Sequence, residues 1–162
     1  MMRTKVKVWL WYGGGILALG IFFNQTECHL NESASLPHGF FMVVKNLPAK
    51  KGQYVSFQGH QPHYMGYAPP CIKEVAGLPG DVYEVYEKNF YINGVLKGSL
   101  RRQTKDGRPL TSLKTRTIPE GYVFVKGQSY DTYDSRYEEF GLVKETHLKG
   151  RAFGFFKRQR HD

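Results

Sequence analysis

Short apolar or alternating stretches follow one another along the chain after its N-terminal segment. FFMVV at 40–44, YVSF at 54–57 and GYVFVKG at 121–127 have the length and composition of β-strands. VYEVY at 82–86 alternates between two faces, and the following FYI predicts a hairpin partner, with Asn93-Gly94 as a further tight turn. No stretch outside the N-terminus has a helical period. The pattern therefore predicts an all-β, mostly antiparallel domain.

The N-terminal segment has a different pattern. Basic residues precede an apolar run from Val8 to Phe23, and Trp9, Trp11 and Tyr12 stand at its basic end. As a helix the run would span roughly 24 Å, against a hydrocarbon core of about 30 Å. We expect residues 1–24 to be a cytoplasmic stub and a retained single-pass anchor, with the N-terminus inside. A cleaved signal peptide is the alternative.

The composition of the rest of the chain is typical of a folded domain rather than of a disordered segment. The chain has 162 residues with 41% hydrophobic content, enough for one packed domain. Residues 25–81 and 120–162 are predicted to form the β core, and residues 82–119 a small inserted lobe. The formal net charge of +9 suits an anionic membrane surface or nucleic acid, but no zinc-finger spacing or recognition-helix pattern is present. We therefore expect membrane lipid as a partner and no nucleic acid.

Two cysteines, Cys28 and Cys71, lie beyond the predicted anchor. They would face an oxidising compartment, where such a pair can close a disulfide. The alternative is two separate buried thiols, and the spacing does not decide between them.

The histidines do not stand in the sequence settings that are typical of a catalytic triad or a zinc site. None of the six lies in a Gly-x-Ser-x-Gly or His-Glu-x-x-His setting, so no metal site and no cofactor are predicted. A serine can instead be activated by an uncharged lysine, whose pKa burial depresses. Lys73 fits, because Ile72, Val75 and Ala76 surround it in a predicted strand. A strand lysine that extends its amine to solvent is the alternative.

Three stretches in order resemble a known family. SASLP at 33–37, CIKEVAGLPGD at 71–81 and YDTYDSRYEEFG at 130–141 are similar to the serine, lysine and Asp-Ser-Arg boxes of type I signal peptidases. These are membrane-bound serine proteases with a Ser-Lys dyad. The resemblance implies antiparallel sheets of the signal peptidase type, a small inserted lobe and one N-terminal transmembrane helix.

The resemblance also implies a role for each matching residue. Ser35 falls on the nucleophile and Lys73 on the general base, while Ser33 and the Ser35 backbone N–H fall on the oxyanion hole. Thr132 falls on a hydroxyl residue that holds the lysine amine. Asp134 and Arg136 fall on a supporting acid and base beside the site. Whether these two act directly or only organise their loop as a buried ion pair is left open.

Departures from the housekeeping pattern point to a subfamily. Pro37 comes one residue early, Leu36 replaces Met, Glu74 replaces Arg, and Gly127-Gln128-Ser129-Tyr130 replaces the Gly-Asp-Asn stretch. With HLKGRAFGFF at 147–156, the pattern is most similar to the TraF-type peptidases of conjugative transfer. The resemblance implies a bacterial inner-membrane enzyme with a periplasmic catalytic domain.

Such an enzyme would cleave a pre-pilin or another exported precursor, with hydrolysis or cyclisation as outcomes. A general leader peptidase for secreted proteins and a non-catalytic pilus or secretion assembly protein are the alternatives.

Overall fold

A computed structural model describes residues 14–17, 19–31, 35–58, 70–104, 106–114, 116–130 and 132–157. This part contains eleven strands, and a short 3-10 helix, Glu145–His147, precedes the last strand. In chain order the strands are β1 Thr26–Leu30, β2 His38–Lys45, β3 Tyr54–Phe57, β4 Cys71–Gly77, β5 Val82–Tyr86, β6 Asn89–Ile92, β7 Val95–Ser99, β8 Arg116–Thr117, β9 Tyr122–Lys126, β10 Val143–Lys144 and β11 Leu148–Lys157.

The larger sheet has seven strands in the order β1-β2-β11-β3-β4-β9-β10. Every pairing in it is antiparallel, which confirms the predicted sheet type. Strand β2 shows the alternation that is typical of a strand. Phe41 and Val43 are fully buried, whereas the residues that alternate with them, Phe40, Met42 and Val44, are half-buried. Strand β11, from the end of the described chain, inserts between β2 and β3.

The smaller sheet has the strand order β7-β6-β5-β8 and is formed by residues between Val82 and Thr117. Asn93 and Gly94, at φ 49° and 73°, make the tight turn between β6 and β7, as their sequence predicts. This sheet packs on β9 of the larger sheet. The Phe90 and Phe124 rings stack at 5.8 Å between centroids, inside a cluster that also buries Tyr83.

The N-terminal region is described only in part. Residues 14–17 and 19–25 are helical, and residues 1–13 and 18, on which the predicted anchor also depends, lie outside the described residues. Within the part that is described, no helix combines the length and apolarity needed to cross a bilayer. The membrane anchor therefore stays a prediction.

The two cysteines are not joined by a disulfide: Cys28 is exposed on β1 and Cys71 is half-buried on β4. These strands are four positions apart in the sheet, which places them roughly 19 Å from each other at the usual strand spacing. A disulfide needs Cα atoms within about 7 Å. The structure therefore shows two separate thiols, as the alternative predicted, but neither of them is fully buried.

Candidate active site

Lys73 lies in the middle of β4, on a face that is otherwise apolar. Val55 is directly opposite it on β3, and Val55 and Val75 belong to one buried cluster. The lysine is 8% exposed, and none of the described residues forms an ion pair with its amine. It is therefore buried, rather than extending its amine to solvent.

Burial determines the charge state of this lysine. It lowers the pKa of the Lys73 amine. The charges of Asp134 and Cys71 oppose this lowering without cancelling it, and the positive charge of Arg136 adds a smaller lowering. An amine with a lowered pKa is uncharged over more of the neutral and basic range. It can then accept a proton.

Glu74, the next residue along β4, faces the opposite side of the sheet. Its carboxylate lies 3.2 Å from the amine of Lys126, its register partner on β9. The acidic residue that replaces a family arginine thus has its own local partner. It is not directed to the Lys73 face.

Ser35 lies in the turn that leads into β2 and is half-buried. Its carbonyl accepts a hydrogen bond of 2.9 Å from the backbone N–H of Gln128. Leu36, the next residue, is buried in a cluster against which Ile72 packs, so the serine segment lies against the residue preceding Lys73. Ser33 lies outside the described residues, and its predicted oxyanion role stays a prediction.

The side chain of Gln128 also forms a hydrogen bond. Its Nε2 donates a hydrogen bond of 3.0 Å to the hydroxyl of Tyr54, on β3. The Tyr54 ring in turn contacts the rings of Phe41 and His38. Gln128 therefore connects the Ser35 segment to the sheet. Nothing in the sequence singled out Tyr54, and Gln128 was visible only as a departure from a family pattern.

Thr132 packs so closely against Gly127 that only glycine fits at position 127. A Cβ at position 127 would lie 2.3 Å from Thr132 Cγ2 and 2.4 Å from its Oγ1. The threonine is buried, and its Oγ1 has no hydrogen-bond partner within the described part of the chain. A buried hydroxyl without a partner is costly, and it is free to bind a group that approaches it.

Asp134 and Arg136 form a buried, bidentate ion pair. The Arg136 Nε donates to Asp134 Oδ1 at 2.8 Å and its Nη2 to Oδ2 at 2.9 Å. Asp134 also accepts a bond of 2.8 Å from the N–H of Gly127. The remaining Arg136 donors bind the carbonyls of Ser99 at 2.7 Å and Thr132 at 3.0 Å. The pair thus holds the loop of residues 127–136 in one conformation.

These interactions connect the predicted site residues that the structure describes, which are Ser35, Lys73, Thr132, Asp134 and Arg136. Ser35 is bonded to Gln128, the neighbouring Gly127 contacts both Thr132 and Asp134, and Asp134 acts electrostatically on Lys73. The group contains a hydroxyl, an amine of lowered pKa and a second, unpartnered hydroxyl, which together suit proton transfer from a serine. Among the described residues no three His, Cys, Asp or Glu side chains come together as metal ligands.

Comparisons with known proteins agree on one group. The family described as signal peptidase, peptidase S26, matches residues 5–156. A conjugal transfer protein TraF of Agrobacterium fabrum is 30% identical over 54% of this chain and 49% of its own length. A signal peptidase I of Bacillus amyloliquefaciens is 30% identical over 71% of this chain and 63% of its own length. This chain thus matches about half the length of the TraF relative and just under two thirds of the length of the signal peptidase I relative.

Among solved structures, a signal peptidase I of Enterococcus faecalis is 26% identical, covering 63% of this chain and 94% of that one, with a TM-score of 0.42.

Proposed function

Because the chain belongs to the signal peptidase family, peptidase S26, we propose that it is a serine endopeptidase that cleaves exported precursor proteins. The observation that supports this most is the buried Lys73 amine of lowered pKa. It lies in the same group of contacts as Ser35. A lysine in this state can serve as the general base for a serine nucleophile.

The proposed reaction uses a Ser-Lys dyad. The neutral amine of Lys73 takes the hydroxyl proton of Ser35, and the Ser35 Oγ attacks the carbonyl carbon of the peptide bond. The ammonium then gives this proton to the leaving amine, and an ester joins the precursor's acyl part to Ser35. Water, or the amine of a peptide, attacks the ester and releases the product. No cofactor takes part.

Two further residues are assigned to steps of this reaction. The backbone N–H of Ser35 and the hydroxyl of Ser33 would stabilise the oxyanion, where one lost donor typically costs ~10²–10³ in rate. Thr132 would orient the Lys73 amine through its buried Oγ1, which has no partner among the described residues. Asp134 and Arg136 hold the loop that carries Thr132, so their role is positional.

We further propose that the substrate is a pre-pilin for conjugative transfer, matured by hydrolysis or by cyclisation. The TraF relative and the shortened Ser-Leu-Pro segment support this choice. The enzyme would lie in a bacterial inner membrane as a single-pass protein with a cytoplasmic N-terminus and a periplasmic catalytic domain. The signal peptidase I relative favours a general leader peptidase as the second candidate.

The test is cleavage of a precursor by the purified full chain in detergent. The probe is a model precursor with small residues at an Ala-x-Ala cleavage site. We expect Ser35→Ala and Lys73→Ala to abolish cleavage, while Lys50→Ala, at an exposed lysine outside the candidate site, remains active. Persistent cleavage by either site variant would reject the dyad. With the authentic pilin, mass spectrometry distinguishes the outcomes, because a cyclic product is one water lighter than the linear product.

A further inference from the structure

The positive charge of the chain is concentrated in one segment, residues 97–117, here called the basic arm. It contains seven Lys and Arg residues and one acidic residue, Asp106, and so carries +6 of the formal +9 of the whole chain. All its residues except 105 and 115 are described. The proposed catalytic reaction uses none of this charge.

The basic arm lies directly against the loop of the candidate active site. The carbonyl of Ser99 accepts the 2.7 Å bond from Arg136, and the N–H of Leu113 donates 3.0 Å to the Arg136 carbonyl. The Arg101 guanidinium lies 5.9 Å from the centre of the Tyr130 ring. Tyr130 is two residues from Gln128, which is bonded to Ser35. The positive charge therefore borders the site.

The charged side chains of the arm face solvent. Arg102, Arg108, Lys114 and Arg116 are exposed. Within the described residues no carboxylate forms an ion pair with Arg102 or Lys114, and Arg108 pairs with the exposed Asp106. Clustered charges of one sign next to a cleft attract ligands of the opposite sign. The arm thus fits an anionic partner.

An acidic peptide fits this surface better than a bilayer does. The arm itself has no exposed leucine, since its three leucines are buried or half-buried. The exposed aliphatic side chains of Val95 and Leu96 directly precede it in β7, whereas the exposed Leu30, Phe155 and Phe156 belong to β1 and β11. Two aliphatic side chains beside a net charge of +6 are a small apolar surface, whereas surface-bound membrane helices combine basic residues with a whole apolar face.

We propose that the basic arm binds an acidic segment of the precursor that flanks the cleaved bond. The inference rests on the proposed function, in that it takes the acidic segment to belong to a substrate. Such contacts form before the reaction and persist through it. They therefore lower KM and leave kcat unchanged, and salt weakens them.

The experiment measures binding separately from cleavage. A fluorescein-labelled deca-glutamate peptide is titrated with the full chain in detergent, carrying Ser35→Ala, and anisotropy is read at 50 mM and 300 mM NaCl. The test variant is Arg102→Glu with Lys114→Glu. The matched control is Lys50→Glu with Lys144→Glu, which changes the net charge equally at two exposed lysines outside the arm. Phosphatidylglycerol vesicles and a single-stranded oligonucleotide are the competing probes.

We expect the arm variant to bind the peptide at least 10-fold more weakly and the control less than 2-fold more weakly, with affinity falling at the higher salt. Equal losses in both variants, or no binding by the starting protein, would overturn the inference. Vesicle or oligonucleotide binding that depends on the arm, without arm-dependent peptide binding, would also overturn it.

The two proposals fail separately in this design. No peptide binding by the starting protein, or equal losses in the arm and control variants, rejects the role of the arm and leaves the peptidase assignment intact. Failure of the wild type to cleave the precursor rejects the peptidase assignment, and cleavage that persists in Ser35→Ala rejects the dyad; neither changes the binding result.

Discussion

Replacing Lys73 with methionine should stabilise the protein and abolish its cleavage activity. Methionine keeps the length and apolar character of the side chain and removes the amine. In the wild type Lys73 is 8% exposed, and its amine has no ion-pair partner among the described residues. The substitution removes the cost of burying it. The same substitution removes the proposed general base.

The size of the effect follows from the cost of burial and from its pH dependence. A buried polar group without a partner costs about 1–3 kcal/mol in proteins, so we expect Lys73→Met to raise the free energy of unfolding by that amount at pH 7. The unfolded chain keeps the proton on Lys73 up to its ordinary pKa of 10.5, whereas the folded protein releases it at lower pH. The unfolded state therefore binds more protons in this window, and wild-type stability rises with pH there.

The advantage of the methionine variant is consequently greatest below the lowered pKa of Lys73 and declines as pH approaches 10.5. The decline has a limiting slope of roughly 1.4 kcal/mol per pH unit. Urea denaturation of both proteins at pH 7, 8.5 and 10 measures it. Lys126→Met is the control, since its 3.2 Å pair with Glu74 is partly exposed and its loss should cost up to about 1 kcal/mol. A Lys73→Met variant that is less stable at pH 7, or equally favoured at pH 7 and 10, would refute the reasoning.

Three further substitutions test the loop and its support. Asp134→Asn should lower the free energy of unfolding by about 3–5 kcal/mol in urea, because it leaves the Arg136 guanidinium buried without its charge partner. Thr132→Val should change stability by less than about 1 kcal/mol, because Oγ1 has no hydrogen-bond partner in the described part, and should lower kcat at least ~10-fold by misplacing the Lys73 amine. Tyr54→Phe removes the acceptor of Gln128, so it should cost about 1 kcal/mol and slow cleavage by loosening the Ser35 segment.

Each of these three substitutions has a control substitution at an exposed residue of the same type. Asp106→Asn breaks an exposed pair with Arg108 and should cost less than about 1 kcal/mol. Thr117→Val and Tyr86→Phe change exposed side chains outside the candidate site and should leave kcat unchanged. The reasoning is contradicted if the aspartate variants lose equal stability, if the buried threonine variant keeps its full kcat, or if both tyrosine variants cleave at the wild-type rate.

The sequence determined the local structure because local structure depends on side-chain alternation and turn chemistry. The alternation in 82–86 and the Asn93-Gly94 pair were sufficient to predict β5 and the turn after β6. The apolar neighbours of Lys73 predicted a candidate base in a strand, and the structure shows that lysine buried. The order of the three boxes pointed to the family that the whole-chain comparison shows.

Only the tertiary structure decided which distant residues meet. The sequence contains nothing that places β11 between β2 and β3, that separates Cys28 from Cys71, or that bonds Gln128 to Ser35 and Tyr54. Such pairings depend on how strands associate across long loops, where a shift of one residue exchanges the two faces of a strand. Arg136 shows this most clearly, because its charge is visible in the sequence. Its pairing with Asp134, two residues away, was one of the possibilities that the sequence left open, but only the packing of the chain directs it to the Ser99 carbonyl, 37 residues away.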